Sequence, residues 1–191
     1  MSDPKVTLRE MFKKYRERYS DAVWIDLSFK IQYNARILID ELSPEKIGIY
    51  LKSTNSREVD TDIIIEYLFA THRKLGVPRL ADEPGIMDFT ELRSDSAMRI
   101  NTWGIPEVLD IDSVGFTPEV IIIPMLGGDY RGYRIGYGKG YYDRFLEGKK
   151  VIKIGLCPST CLINQIPIDS YDVKMNYIIT EAEILRINGS Y

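Results

Sequence analysis

The sequence predicts an α/β fold: a single three-layer α/β/α domain with a mostly parallel central sheet, spanning residues 1–191. A continuous apolar run at residues 120–124 is typical of a strand that is buried on both faces of a parallel sheet, and residues 151–155 predict another buried strand. Segments with helical spacing of apolar residues alternate with such runs, as in other α/β proteins. A chain of 191 residues can also bury a sizeable core without disulfides or a structural metal.

Two amphipathic helices are predicted at the start of the chain. The first carries apolar side chains at helical spacing: Leu8, Met11, Phe12, Tyr15 and Tyr19. After a break at residues 20–21, the same spacing recurs from residue 24 to residue 38. The second helix is expected to end before Pro44, because the residue before a proline resists the helical conformation.

The remaining elements are predicted from shorter patterns. Strands are expected at residues 46–51, 77–81, 86–89, 120–124 and 151–155, with a last strand at 176–180. Helices are expected at 60–74 and 141–147, and a turn at 82–85. Residues 91–116 are predicted to be rich in loops, and residues 127–140 to form a glycine-rich loop.

Composition excludes several classes of function. The 25 basic and 28 acidic residues give a net charge of −3, which argues against a dedicated nucleic-acid-binding protein. No apolar run approaches the roughly 20 residues of a membrane span, and the charged N-terminus does not resemble a signal peptide. Cys157 and Cys161 match no redox or zinc motif, and His72 is the only histidine, so no histidine cluster can bind a metal. We therefore expect a cytoplasmic protein with two reduced, structural thiols.

The strongest local signal is the glycine-rich segment that ends at Asp143. Gly136, Gly138 and Gly140 follow a predicted strand and precede a helix, so the backbone can approach a ligand and direct its N–H groups inward. Arg134 and Lys139 add positive charge suited to phosphate. The segment matches neither the P-loop nor the dinucleotide-binding pattern. A flexible loop with solvated charges is the alternative interpretation.

Three further groups of charged residues are candidates for the same site. Asp143, one turn into the following helix, suits Mg²⁺ beside a bound polyphosphate, although it could equally compensate the helix dipole. Asp172 is a weaker candidate of the same kind, since such residues often cap a turn. Lys5 and Arg9 lie one helical turn apart and could clamp an anion, or simply form a solvated face.

Taken together, six segments resemble the 5-formyltetrahydrofolate cyclo-ligase family, in the family's order and over nearly the whole chain. They are Lys5-Val-Thr-Leu-Arg9, Glu58-Val-Asp-Thr61, Val77-Pro-Arg79, Thr102-Trp-Gly-Ile-Pro-Glu107, Arg134-Ile-Gly-Tyr-Gly-Lys-Gly-Tyr-Tyr-Asp143 and Tyr177-Ile-Ile-Thr-Glu181. The resemblance implies a NagB/RpiA/CoA-transferase-like fold. It also implies ATP- and Mg²⁺-dependent cyclisation of 5-formyltetrahydrofolate to 5,10-methenyltetrahydrofolate, through a phosphorylated formyl group.

The resemblance also implies a role for each matching residue. ATP would be bound by Lys5, Arg9 and the segment Arg134, Ile135, Gly136, Tyr137, Gly138, Lys139, Gly140, Tyr141 and Tyr142. Arg134, Lys139 and Tyr142 would act in catalysis, and Asp143 and Asp172 would hold Mg²⁺. The folate would be bound by Leu51, Glu58, Trp103, Tyr137 and Tyr141. The expected partners are these two small molecules alone, and the expected assembly is a monomer or a weak dimer.

Two other classes of function remain open on the residues alone. A folate or nucleotide sensor could use the same scaffold without turnover, although it would not need to keep the γ-phosphate and metal groups together. A sugar-phosphate isomerase or acyl-transfer enzyme could also share the fold, because fold does not determine function. Release of ADP that depends on 5-formyltetrahydrofolate would separate these alternatives.

Overall fold

A computed structural model describes residues 3–80, 85–109 and 115–187. Within these residues the helices are α1 (Pro4–Glu17), α2 (Asp21–Leu42), α3 (Asp62–Ala70) and α4 (Tyr141–Leu146). The strands are β1 (Lys46–Ile49), β2 (Lys74–Leu80), β3 (Met87–Leu92), β4 (Met98–Ile100), β5 (Pro106–Val108), β6 (Val120–Pro124), β7 (Gly127–Asp129), β8 (Arg134–Ile135), β9 (Ile152–Leu156), β10 (Leu162–Ile163), β11 (Tyr177–Ile179) and β12 (Ile184–Arg186). No helix in this part of the chain is both long and apolar enough to cross a membrane.

The central sheet has seven strands in the order β12-β11-β9-β6-β1-β2-β3. The five inner strands run parallel, while β12 and β3 pair antiparallel at the two edges. The predicted α/β class with a large, mostly parallel sheet is therefore confirmed. Two smaller sheets, β10-β7-β8 and β4-β5, lie outside it.

The central strand β6 shows how the sheet separates two cores. Its residues alternate between the faces because successive side chains of a strand point in opposite directions. Val120 and Ile122 join the core formed with α2 and α3, whereas Ile121 and Ile123 join the core formed with α1 and α4. All four are essentially inaccessible to solvent, which explains the uninterrupted apolar run in the sequence.

The first two helices occur where the sequence predicts them. The side chain of Asp3 accepts a hydrogen bond from the N–H of Lys5 at 2.9 Å and caps α1, which has Pro4 as its first residue. Ser20 caps α2. That helix ends at Leu42, followed by Ser43 in the left-handed conformation with φ of 46°.

The predicted third helix, residues 60–74, is too long at both ends. The Asp60 carboxylate accepts hydrogen bonds from the N–H groups of Thr61 and Asp62, so the helix begins only at Asp62. It ends at Ala70 because His72 adopts a left-handed φ of 57°. Lys74 instead begins β2, which lies in the central sheet and includes the predicted strand at 77–80; position 81 lies outside the described residues.

Three other predictions were wrong in part. The segment expected to be rich in loops, 91–116, contains the β4–β5 hairpin. The predicted glycine-rich loop, 127–140, contains β7 and β8, which pair with each other, and β7 also pairs with the distant β10. The strand at 177–179 is followed by β12 and so is not the last. Of the predicted turn at 82–85, only Gly85 belongs to the described residues.

Glycine in the central sheet allows an aromatic side chain to pack closely against the backbone, and this packing gives a test of the fold. A β-carbon at Gly76, in the middle of β2, would lie 2.2 Å from the ring of Phe116. We expect Gly76→Ala to lower the free energy of unfolding by about 1–3 kcal/mol, because overpacked cores must shift. Urea denaturation measures the change. Gly136→Ala is the control, since a β-carbon there has no neighbour within 4 Å; equal losses in both variants would contradict the prediction.

Candidate functional site

A cavity of about 730 Å³ lies at the carboxyl ends of strands β1, β2 and β6. The residues that end or follow these strands line it, among them Leu51, Leu80 and Pro124. In sheets of parallel strands, ligands characteristically bind beyond the carboxyl ends. The volume falls within the roughly 300–1,000 Å³ that is typical of small-molecule sites.

The structure brings together every site residue that the sequence predicts. All of them line this cavity: Lys5, Arg9, Leu51, Glu58, Trp103, Arg134, Ile135, Gly136, Tyr137, Gly138, Lys139, Gly140, Tyr141, Tyr142, Asp143 and Asp172. They come from α1, the loop after β1, the β4–β5 turn, the segment from β8 into α4 and the chain before β11. Their individual roles remain predictions.

Lys5 lies between two carboxylates rather than in solvent. Its Nζ is 2.7 Å from the Asp169 carboxylate and 2.5 Å from that of Asp172. Partial burial by itself would lower the pKa of Lys5, but the hydrogen bonds that its ammonium group donates to Asp169 and Asp172 outweigh burial and raise the pKa. Asp169 is a residue that the sequence analysis missed, because a carboxylate 164 positions from its partner gives no local signal.

Arg134 and Asp143 form a second ion pair. The guanidinium of Arg134 is 3.0 Å from the Asp143 carboxylate and donates to the backbone carbonyl of Val173 at 3.2 Å. The same oxygen of Asp143 accepts the N–H of Val173. The Arg134 side chain is only 5% exposed, so its orientation is well defined. Asp143 therefore holds the side chain of Arg134 in place. It can also compensate the helix dipole at the N-terminus of α4.

Glycine is required at the turn of the segment between β8 and α4. Gly138 has φ of +95°, and a β-carbon there would lie within 3.1–3.4 Å of the Arg9 guanidinium. Arg9 donates from Nε to the carbonyl oxygen of Gly136 at 3.1 Å. The carbonyl of Lys139 is held in turn by Arg144 at 2.9 Å. A residue with a side chain at position 138 would be strained by the positive φ and would crowd the Arg9 guanidinium.

Glu58 contributes a negative charge to the cavity, in contrast to the cations Lys5, Arg9 and Arg134. It is 8% exposed, and its carboxylate accepts the N–H of Ser53 at 2.8 Å. Burial, followed by the negative charge of Glu58, raises the pKa of Tyr50, Tyr137 and Tyr142. These phenols remain protonated at neutral pH and can donate hydrogen bonds. The positive charge of Arg134 also acts on Tyr142, which therefore lies within reach of both charged groups.

Trp103 is held at the cavity although more than half of it is exposed. The Asn101 side-chain oxygen accepts the N–H groups of Trp103 and Ile105 at 2.9 and 3.0 Å, which shapes the turn between β4 and β5. The Ser53 hydroxyl donates to the Trp103 carbonyl at 2.8 Å. Because the N–H of Ser53 also binds Glu58, Ser53 joins Trp103 to Glu58. Neither Ser53 nor Asn101 is predicted from the sequence, since small polar residues in loops are common.

The fit of a metal ion depends on the two predicted carboxylates. The described residues contain no cluster of three or more histidine, cysteine or acidic side chains that could hold a metal by themselves. Asp143 and Asp172 nevertheless face the same cavity. This donor set fits Mg²⁺, because Mg²⁺ typically takes one or two carboxylates and completes its shell with phosphate oxygens and water.

Comparison with known proteins gives a consistent picture. The chain matches the 5-formyltetrahydrofolate cyclo-ligase family over residues 1–181. It is 28% identical to 5-formyltetrahydrofolate cyclo-ligase of Mus musculus, over 72% of this chain and 73% of the mouse protein. It is 26% identical to the Saccharomyces cerevisiae enzyme of the same name, with 90% and 94% covered.

A solved structure shares the fold along nearly the entire chain. It is the NMR structure of Aquifex aeolicus 5,10-methenyltetrahydrofolate synthetase, with a TM-score of 0.80 and 25% identity. The match covers 99% of this chain and 95% of that one. The fold, the order of the matching segments and the family-wide match agree, and the chain belongs to the 5-formyltetrahydrofolate cyclo-ligase family.

Proposed function

We propose that the protein catalyses the ATP- and Mg²⁺-dependent cyclisation of 5-formyltetrahydrofolate to 5,10-methenyltetrahydrofolate, with release of ADP and phosphate. The observation that carries the proposal is the combination within one cavity of two chemically distinct groups. Lys5, Arg9, Arg134 and Lys139 surround the glycine-rich backbone, and Glu58 lies with Trp103 in the same cavity. The first group suits a triphosphate and the second a pterin, so both substrates can meet there.

The chemistry requires activation of a formamide. Its carbon is a poor electrophile and its oxygen a poor leaving group. Attack of the formyl oxygen on the γ-phosphorus of ATP breaks the bond to ADP and gives an imidate phosphate. Attack of N10 on the activated carbon then closes the ring, N10 loses its proton, and the carbon–oxygen bond breaks to release phosphate. The protein needs mainly to align the formyl oxygen with the γ-phosphorus and to stabilise the transferring charge.

The cationic groups serve the phosphates. Arg134, fixed by Asp143, offers a preorganised guanidinium to the γ-phosphoryl group, and Lys139 adds a second, more exposed charge. Arg9 lies against the turn at Gly138, whose backbone N–H groups would be available to phosphate oxygens. Lys5 can exchange Asp172 for a phosphate oxygen. The carboxylates of Asp172 and Asp143 would then hold Mg²⁺, which supplies further neutralisation of the phosphate charge.

Glu58 and the aromatic residues serve the folate. The amino-pyrimidinone edge of a pterin presents parallel donors, which one buried carboxylate can accept. Trp103 offers an exposed ring face, and Leu51 lies beside Glu58 in the cavity wall. Tyr142 lies within electrostatic reach of both Glu58 and Arg134, which suits a hydrogen-bond donor at the junction of the two substrates. Tyr137 and Tyr141 complete that wall.

The sequence supports a cytoplasmic enzyme that acts on small molecules. Its charge is slightly acidic, and its two cysteines are free and buried. We therefore include no nucleic acid or membrane among its partners.

The direct test mixes the protein with MgATP and 5-formyltetrahydrofolate. The proposal requires that the absorbance of 5,10-methenyltetrahydrofolate rise and that one ADP form for each molecule of this product. Both changes must occur only when both substrates are present. Binding of both ligands without turnover would identify a sensor instead. Turnover of neither ligand, by a folded protein, would refute the proposal.

The ATP assignment depends first on Arg134. We expect Arg134→Ala to weaken ATP binding and turnover by about 2 kcal/mol, or roughly 30-fold, because a charge-assisted contact is lost. Lys139→Ala should act in the same direction. Calorimetry and steady-state kinetics measure both effects, and Lys150→Ala, an exposed cation outside the cavity, is the matched control. If both loop variants behave like the control, the segment is only a surface turn.

The metal assignment depends on Asp143. The Asp143→Asn variant keeps the shape of the side chain but removes its charge. We expect activity to fall sharply and the Mg²⁺ concentration for half-maximal rate to rise several-fold, since a neutral amide is a poor Mg²⁺ ligand. Reduced activity with an unchanged Mg²⁺ dependence would show that Asp143 only holds Arg134.

The folate assignment depends on Glu58. In Glu58→Gln one acceptor oxygen becomes a donor that faces a pterin donor, so we expect folate affinity to fall by roughly 2–4 kcal/mol. ATP affinity without folate should barely change. Calorimetry with each ligand separately makes the comparison, and Glu66→Gln in α3 controls for the change in charge. Equal losses for both ligands would point to misfolding, and no loss for folate would remove Glu58 from the site.

A further inference from the structure

Tyr171 is an aromatic residue of the cavity to which the proposed reaction gives no role. It lies on the chain before β11 and lines the cavity, yet 67% of it is exposed. Its hydroxyl donates to the Asp169 carboxylate at 3.0 Å, and Nζ of Lys5 lies 5.6 Å from the centre of its ring. An exposed ring that such contacts hold at a cavity offers a flat surface to a ligand.

Helix α1 gives the cavity a direction. Near the C-terminal end of this helix, Arg16 donates to the carbonyl of Arg57 at 2.6 Å, which places the neighbouring Glu58 at that end. Arg9, in the middle, contacts the glycine-rich segment. Lys5, at the N-terminal end, lies about 16 Å from Arg16 along the helix axis. The cavity therefore extends from the region of Glu58, past the cations that suit phosphate, to the region of Lys5.

The direction of the nucleotide follows from the chemistry of the proposed reaction. In phosphoryl transfer the attacking and leaving oxygens lie roughly in line on opposite sides of the phosphorus. The formyl oxygen of a folate bound at Glu58 attacks from one side, so ADP leaves on the other side and its adenosine extends toward Lys5. The cavity residues at that end are Asp3, Asp169, Tyr171 and Asp172.

We propose that Tyr171 binds the adenine of ATP by stacking, an inference that rests on the proposed function. The other residues at this end of the cavity are carboxylates, so Tyr171 alone among them offers an aromatic face. Stacking on an aromatic side chain suits a base, because every base has a flat π-face. Among the described residues that line the cavity, every other aromatic side chain lies on the Glu58 side or on the segment between β8 and α4.

Asp169 supports the ring of Tyr171. Its Oδ2 accepts hydrogen bonds from the Tyr171 hydroxyl at 3.0 Å and from the ammonium group of Lys5 at 2.7 Å. When Lys5 turns to a phosphate oxygen, Asp169 can keep its hydrogen bond with Tyr171. That bond lies at the edge of the ring and leaves the ring face away from Lys5 available to a base. Asp169 is therefore a positioning residue, whereas Tyr171 contacts the nucleotide.

Calorimetry with MgATP and with magnesium tripolyphosphate separates the base from the phosphates. Tripolyphosphate has the same chain of three phosphates without adenosine, and its affinity is measured directly or by displacement of MgATP. We expect Tyr171→Ala to weaken MgATP binding by roughly 5- to 150-fold, the effect of losing one base–aromatic stack, and to leave tripolyphosphate binding unchanged. Tyr171→Phe keeps the ring and should keep most of the affinity for MgATP.

Tyr130→Ala is the matched control, since Tyr130 is 51% exposed but does not line the cavity. This variant should bind both MgATP and tripolyphosphate as the wild-type protein does. Thermal unfolding of each variant confirms that it is folded, which we expect because both tyrosines are exposed.

Three results would overturn the inference and leave the proposed function intact. The first is an unchanged MgATP affinity in Tyr171→Ala. The second is an equal loss for MgATP and tripolyphosphate, because Tyr171 would then act on the phosphates through Lys5. The third is a loss in Tyr171→Phe as large as in Tyr171→Ala, because the hydroxyl and not the ring would then matter. Failure of the wild-type protein to bind MgATP would instead refute the proposed function, and this inference with it.

Discussion

A buried arginine holds together the segments that form the cavity. Arg16, near the end of α1, is 2% exposed and donates hydrogen bonds to the carbonyls of Met125, Leu126 and Arg57 at 2.5–2.8 Å. Two of these carbonyls directly follow β6, and the third directly precedes Glu58. The planar guanidinium can bind three separate carbonyls because its five N–H groups point in fixed directions and stay charged. The position of Glu58 relative to the sheet therefore depends on one side chain of α1.

The face of α1 that carries Arg16 also reaches the other end of the cavity. Lys5, Arg9, Phe12 and Arg16 follow each other at helical spacing, so one side of α1 carries two cations that line the cavity, a core residue and the arginine that holds the loop of Glu58. The side chain of Arg57 in turn donates a hydrogen bond to the backbone carbonyl of Arg16 at 3.1 Å. The two proposed substrate regions are thus tied to one rigid element, which favours the precise alignment that phosphoryl transfer needs.

Two cations of the cavity are paired with carboxylates of the protein itself. Lys5 is paired with Asp169 and Asp172, and Arg134 with Asp143. Such pairs keep partly buried cations oriented without leaving them uncompensated. In the proposed reaction, phosphate oxygens replace the carboxylates as partners of the cations. The carboxylates that become free are then available to a divalent cation, so the pairing links nucleotide binding to metal binding.

The sequence by itself determined the α/β class, the first two helices and many, though not all, of the residues that line the cavity. Apolar periodicity fixed the elements, and the resemblance to the family fixed the residues, because both are readable along the chain. The wrong boundaries have a different origin. Lys74 and Leu75 continue a helical pattern, but pairing with β1 draws them into the sheet. Tertiary packing overrides local propensity at such positions.

Only the tertiary structure decided which polar groups meet. Nothing in the sequence indicates that Asp169 binds Lys5, or that Ser53 joins Glu58 to Trp103, since the contacts of Lys5 with Asp169 and of Ser53 with Trp103 connect distant segments. Arg16 is the clearest case. A helical pattern assigns a charged residue to the surface, yet its guanidinium is buried because backbone carbonyls from other loops accept hydrogen bonds from its two terminal nitrogens. Burial of a polar group depends on partners that only the folded chain supplies.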